Sequence, residues 1–147
     1  MTGRRHVLQI GAGLAAVAFT RRAAAAPDTL AGAIAAFTGG APATAGGVRL
    51  EVAALVDNGN TVPITVSVDE ALARVESVAV FNERNPERDV VRFVFGPRAS
   101  RVRASTRIRL ATSQKLVAVA RLSDGTFRSD TVDVVVTLAA CIEGEGG

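Results

Sequence analysis

A chain of 147 residues with a single histidine and a single cysteine has little equipment for catalysis of its own. His6 falls within what reads below as a removable leader, so the mature chain lacks the usual parts of a catalytic triad, a zinc site or a haem ligand set. The net charge of +3 does not imply nucleic acid either: Arg4, Arg5, Arg21 and Arg22 belong to the leader, and without them 13 basic residues face 14 acidic ones, a net charge of −1.

The N-terminus, residues 1–25, reads as an export signal. Arg4-Arg5 is followed after one residue by Val7-Leu8, and a weakly apolar run continues to Phe19. That run is too short to span a bilayer, so no stable membrane anchor is expected. Ala23 to Ala26 supply the small residues a signal peptidase needs. Pro27 obstructs cleavage directly before it, which puts the cut near Ala25 and Ala26. The modest hydrophobicity and Arg21-Arg22 before the cut favour the twin-arginine route to the periplasm, with Arg4 and Arg5 as the signal pair.

Within the leader, His6 to Ile10 and then Gly11-Ala12-Gly13 imitate the strand and glycine turn of a dinucleotide site. Such a turn works only with a following helix, a second parallel strand and a ribose-binding acid. Two arginines, four alanines and a proline follow instead, so no nucleotide cofactor is expected.

About 120 residues remain, enough for one core and not for two domains. Residues 26–47 read as a short helix and a linker. Asp28 is placed to cap the helix, Leu30, Ile34 and Phe37 share one face, and Gly39-Gly40 end it. Ala41 to Gly47 reads as a flexible lead-in.

From 48 to 138 the period changes from helical to alternating. Val48, Leu50 and Val52 alternate with Arg49 and Glu51; Val62, Ile64, Val66 and Val68 follow the cluster Asp57-Asn58-Gly59-Asn60. Val78 to Val80 precede Asn85-Pro86, and Val91, Phe93 and Phe95 stop at Gly96-Pro97. Ile108 and Leu110, then Val117 and Val119, then Val132, Val134, Val136 and Leu138 complete the series. About seven short strands between turn signals predict an all-β fold, an immunoglobulin-like antiparallel β-sandwich. Glu70 to Val75 is compatible with a helical turn.

Few residues carry chemistry. Asp57-Asn58-Gly59-Asn60 lacks the remaining acids of a calcium loop and reads as a hairpin turn, so no metal site is expected. Arg101, Arg103, Arg107 and Arg109 share period-two parity. They form either a solvated sheet face or a docking surface for an acidic partner or an anionic cargo. Cys141 stands apart: it lies beyond the last strand-like run, in a tail of charges and glycines, with no second cysteine to pair with. An unpaired thiol in an exported protein risks unwanted disulfides, and that hazard argues for a role.

Several segments together resemble SoxY, the sulfur-carrier subunit of bacterial thiosulfate oxidation. They are the twin-arginine leader, Asp57-Asn58-Gly59 leading to Val62-Pro63-Ile64, Asn85-Pro86, Ser105 to Ala111, and the valine-rich final strand before a cysteine arm. The resemblance implies a non-catalytic carrier without cofactors, in which Cys141 is the covalent cargo attachment. It also implies a heterodimer with a SoxZ-like sandwich subunit that lacks a signal of its own, and partner sulfur-oxidising enzymes of Sox type.

The arm, residues 139–147, departs from the usual Gly-Gly-Cys-Gly-Gly ending. Ala139 and Ala140 replace the first glycines, and Ile142, Glu143, Gly144 and three further residues follow the thiol. This matches SoxY-related paralogues with an Ala-Ala-Cys-Ile-Glu arm. Cys141 is three residues beyond Leu138, so the thiol reaches only about 10 Å from the sheet. The neighbouring carboxylates of Glu143 and Glu145 disfavour the thiolate, which suits a thiol whose chemistry starts inside a partner's site. The competing reading is an exported binding or assembly module whose cysteine forms an intermolecular disulfide.

Overall fold

The structure, a computed structural model, describes residues 27–139. Arg4 and Arg5, the glycine-turn segment, Ala140, Cys141, Ile142, Glu143 and Gly144 lie outside the described residues.

Helix α1 spans Leu30–Thr38. Its cap is Thr29, one residue later than the expected Asp28: the Thr29 backbone is extended and its Oγ1 accepts from the Gly32 amide at 3.0 Å. Gly39, at φ 66°, adopts the left-handed conformation that closes the helix, a position any other residue would strain to hold. The predicted face is the one used. Phe37 and Ala33 are buried, with Leu30 and Ile34 packed at their margin.

Nine strands follow among the described residues: β1 (Ala43–Ala45), β2 (Val48–Glu51), β3 (Leu55–Val56), β4 (Val62–Val68), β5 (Val75–Asn82), β6 (Asp89–Phe93), β7 (Arg103–Ile108), β8 (Gln114–Leu122) and β9 (Phe127–Val136). A 3₁₀ turn at Leu72–Arg74 sits where a helical turn was compatible with the sequence. The larger sheet has the order β1-β9-β8-β5-β6, with β3 also on β9; the smaller has the order β2-β4-β7. The all-β sandwich expectation holds, with one refinement. β1 and β3 both pair parallel to β9, at its two ends (Ala43 opposite Phe127, Leu55 opposite Val135), so the sheets are not wholly antiparallel.

The stretch 41–47 therefore is not merely a lead-in, since β1 is stitched into the sheet. The chain switches sheets at each step from β1 to β4, and Gly46 and Gly47, at φ 98° and 73°, make the first crossing. Strands of two or three residues offer no alternation to read, which is why neither was visible in the sequence.

Burial follows from the layers. β2 alternates strictly, because one face of the small sheet is wet. β5 and β8 are buried almost throughout, because both of their faces are covered. Val78, Val80, Leu116, Ala118 and Ala120 face the small sheet, while Ala79, Phe81, Val117 and Val119 face α1. Phe37 meets Phe81 and Phe127 edge-on, with ring centroids 5.7 and 6.0 Å apart. Between the sheets, one polar tether crosses the core margin: the Leu50 amide on β2 donates to Asp130 Oδ2 on β9 at 2.8 Å.

Candidate functional site: the root of the arm

β9 ends at Val136, and Thr137, Leu138 and Ala139 lead towards the thiol. This short segment is held in place. The Thr137 amide donates to Val56 O at 3.0 Å, continuing the β3 ladder for one more residue. The Gly59 amide donates to Leu138 O at 2.8 Å, and Gly59 O in turn accepts from the Leu110 amide, also at 2.8 Å. Gly59 thus links the Leu138 carbonyl, at the foot of the arm, to the loop after β7.

The turn that contains Gly59 differs from its reading as a hairpin. It joins β3 of the larger sheet to β4 of the smaller one, so it is a crossing between layers. Asn58 Oδ1 accepts from the Asn60 amide at 2.9 Å and fixes the bend, a local bond that asparagine forms readily. Asn58 thus serves the geometry of this bend. No group of three metal-ligating side chains occurs among the described residues.

A second linkage braces the first. Asn85, buried after β5, donates from Nδ2 to Arg109 O at 2.7 Å. Its Oδ1 accepts from the Ala111 amide at 2.9 Å and from Gln114 Nε2 at 2.8 Å. Asn82 Oδ1 accepts from the Asn85 amide at 3.0 Å. Ser113 Oγ accepts from the Val136 amide at 2.9 Å, tying the same loop to the end of β9. Asp57-Asn58-Gly59, Asn85-Pro86, the segment ending at Ala111 and the last strand are distant in sequence. They meet here around the arm root.

What this arrangement does is hold the end of β9 against the loops around it. Two titratable groups are clearly shifted, and both lie at the surface. Asp133, 2.6 Å from Lys115 Nζ, holds that ammonium above its usual range by hydrogen bonding and charge. The Thr126 hydroxyl and amide donate to Asp124 and hold its carboxyl below its usual range. Asp124 lies in the β8–β9 hairpin, at the opposite end of β9 from the arm.

The arginine row divides along its length. All four side chains are exposed. Arg103 pairs with Glu51 at 3.1 Å, and Arg107 reaches Thr61 Oγ1 at 3.5 Å. Arg101, Arg107 and Arg109 form no ion pair among the described residues. Arg109 precedes Leu110 and so belongs to the arm's end of the sandwich, whereas Arg101 lies at the other end of β7. Of the predicted arm residues, only Ala139 is described, and it is exposed. Gly59, Asn85 and Leu110 had been noticed as sequence pattern without a role; their shared function as a brace depends on contacts across 24 to 79 positions.

A family model for the sulfur oxidation protein SoxY matches residues 34–141. Comparison with the curated proteins finds no match. Among solved structures, the sulfur carrier protein SoxY from Chlorobium limicola f thiosulfatophilum is 27% identical, with a TM-score of 0.64, covering 75% of this chain and 97% of that one. A superoxide reductase (neelaredoxin) from Ignicoccus hospitalis is 16% identical with a TM-score of 0.54, over 64% of this chain and 80% of that one. The second likeness shows a shared sandwich fold and no more. The first, together with a family match that runs through the braced root to Cys141 itself, supports a sulfur-carrier role: the chain belongs to the SoxY family.

Proposed function

We propose that this chain is an exported, non-catalytic sulfur carrier that holds its cargo covalently on Cys141 and presents it to oxidising enzymes of Sox type. The observation that carries this reading is the brace at the arm root. A pivot formed by Gly59 and Leu138 stands three residues before a lone thiol, and no group of three metal-ligating side chains occurs among the described residues. Rigid root, short tether and external chemistry are the requirements of a carrier.

The carrier works as a heterodimer with a SoxZ-like sandwich. β6 and β7 are each paired on one side only among the described residues, and an open groove lies between them, lined by Val90, Val91 and Ile108 together with Glu87, Asp89, Arg107 and Arg109. Val94, just beyond β6, is 77% exposed. An unpaired edge of this kind invites a partner strand. The edge is three strands from β9, about 14 Å at the usual strand spacing, so a partner there leaves the arm free. Ala139, Ala140, Ile142, Glu143 and Gly144 match the paralogues with an Ala-Ala-Cys-Ile-Glu arm, and the six residues after the thiol favour a receiving site wider than one shaped for Cys-Gly-Gly.

Intact-mass analysis of the protein from its native periplasm tests the reading. Small sulfur-sized increments are expected on the wild type and none on Cys141→Ser, which should keep its fold and its partner. A covalent protein dimer in place of those increments would establish the disulfide-linked module instead. Export is tested by Arg4→Lys with Arg5→Lys, which should leave the precursor uncleaved in the cytoplasm.

A further inference from the structure

Four large apolar side chains are conspicuously exposed among the described residues, and three of them gather where the arm begins. Leu55 and Val135 are register partners on the β3–β9 ladder, 61% and 53% exposed. Leu138, whose carbonyl is held by Gly59, is 62% exposed. Val135 lies on the outer face of β9, opposite in direction to the buried Val134. Nothing in sandwich stability calls for these residues, since apolar groups this exposed contribute little to the core. A clustered patch of them marks an interaction surface.

The length of the tether identifies the occupant. Cys141 lies three residues past Leu138, a reach of about 10 Å at full extension. Any enzyme that draws the thiol into a recessed centre must therefore bring its own surface down onto the root. We infer that Leu55, Val135 and Leu138 form the docking patch for the enzymes that receive the arm, and that those enzymes carry an apolar rim around the entrance to their active centre. Arg109, one residue from the Leu110 that bonds Gly59, adds positive charge at this end and favours an acidic flank on the same rim. The inference rests on the carrier reading and extends it. Recognition lies partly in the folded root and not in the arm sequence alone, so enzymes read the sandwich and the thiol together.

The test uses the carrier complex isolated from its native periplasm with its adduct in place. Loss of the adduct is followed by intact mass after return to fresh periplasmic extract, at a series of carrier concentrations. Leu55→Ser with Val135→Ser should raise the concentration for half-maximal unloading about tenfold, since roughly two half-exposed side chains no longer dock. The plateau rate should be unchanged. A free peptide of residues 139–147, loaded in the same way, should unload at least as poorly as the double variant, because it lacks the patch. Reaction of Cys141 with a small disulfide reagent should be identical in both full-length proteins. An unchanged half-maximal concentration overturns the inference. So does a faster reagent reaction in the variant, which would mean that the patch covers the chain's own tail. Loss of self-association in the variant, seen by sedimentation, would make the patch an interface between copies and overturn it equally. Absence of any adduct on wild-type Cys141 is a different failure: the carrier reading falls, and the docking inference with it.

Discussion

The amide of Gly59 donates to the carbonyl of Leu138 at 2.8 Å across 79 positions of sequence, and this bond sets where the arm begins. β9 ends at Val136 and the Val56 carbonyl of β3 holds the next residue, Thr137. Gly59 carries the held path one residue further, to Leu138, three residues before the thiol. Because Gly59 also accepts from Leu110, movement of the root is coupled to the loop that Asn85 braces.

Truncating the chain after Thr137 therefore has a readable consequence. The Gly59 amide is buried and would lose its acceptor, leaving an unmet donor that costs about 1–3 kcal/mol. Hydrogen exchange at Gly59, slow in the full chain, should quicken markedly, while exchange along β5 and β8 stays slow. Equal protection of Gly59 in both proteins would show that the root is not clamped there.

Asn85 is the brace most sensitive to substitution. Asn85→Ala removes one donor and one twice-used acceptor from a buried position, stranding Arg109 O and the Ala111 amide and leaving Gln114 Nε2 only its bond to Thr112 O. A loss of about 2–4 kcal/mol is expected, lowering Tm by about 10 °C or more for a domain of this size. Asn85→Asp keeps both acceptor bonds but turns a buried carboxylate oxygen towards Arg109 O, so at neutral pH it should lose at least as much as Asn85→Ala, and its loss should shrink in acid, where the protonated carboxyl regains a donor. A loss for Asn85→Asp that does not depend on pH would contradict the assignment.

Most of the sandwich was legible because its strands are long enough to show a period of two, and because the residues between them break structure. The helix face was legible for the same reason at a period of 3.6, although the cap fell on Thr29 and not Asp28. β1 and β3 escaped because three and two residues carry no period, and their parallel pairing to β9 is visible only in the folded chain. At the candidate site the sequence shows the thiol and the motif residues but not the brace. Asn58-Gly59 looks like a hairpin signal in any sequence; only tertiary contact makes it a crossing between sheets and a clamp on Leu138. The exposed Leu55 and Val135 were equally hidden, since an apolar residue in a strand is ordinarily read as core.

The Asp124 hairpin predicts a small pH effect of known sign. Thr126 holds the Asp124 carboxyl below its ordinary value, so the folded state favours the ionised form. The resulting stabilisation is present at neutral pH, begins to fade as pH falls below the carboxyl's value in the unfolded chain, and is gone once pH passes below the folded value. Carbon-detected NMR titration should place the Asp124 midpoint below the ordinary aspartate range in the wild type. Thr126→Val, which deletes the hydroxyl donor, should move it back up. A midpoint that ignores this substitution would show that the hydroxyl is not the cause.

Val94→Lys tests the proposed partner edge without touching the arm. Val94 is 77% exposed beyond β6, so its replacement should alter the stability of the isolated chain by no more than about 0.5 kcal/mol. Seated against a partner strand, the same lysine would have to be desolvated beside the half-buried Phe93 and Phe95. The heterodimer with a SoxZ-like subunit should therefore weaken by about tenfold or more in titration calorimetry. Leu55→Ser with Val135→Ser, at the other end of the β6-to-β9 span, should leave that affinity unchanged. If the two substitutions exchange effects, so that Val94→Lys is silent and the root variant loses the subunit, then the partner sits on the arm root and the groove between β6 and β7 is the free surface.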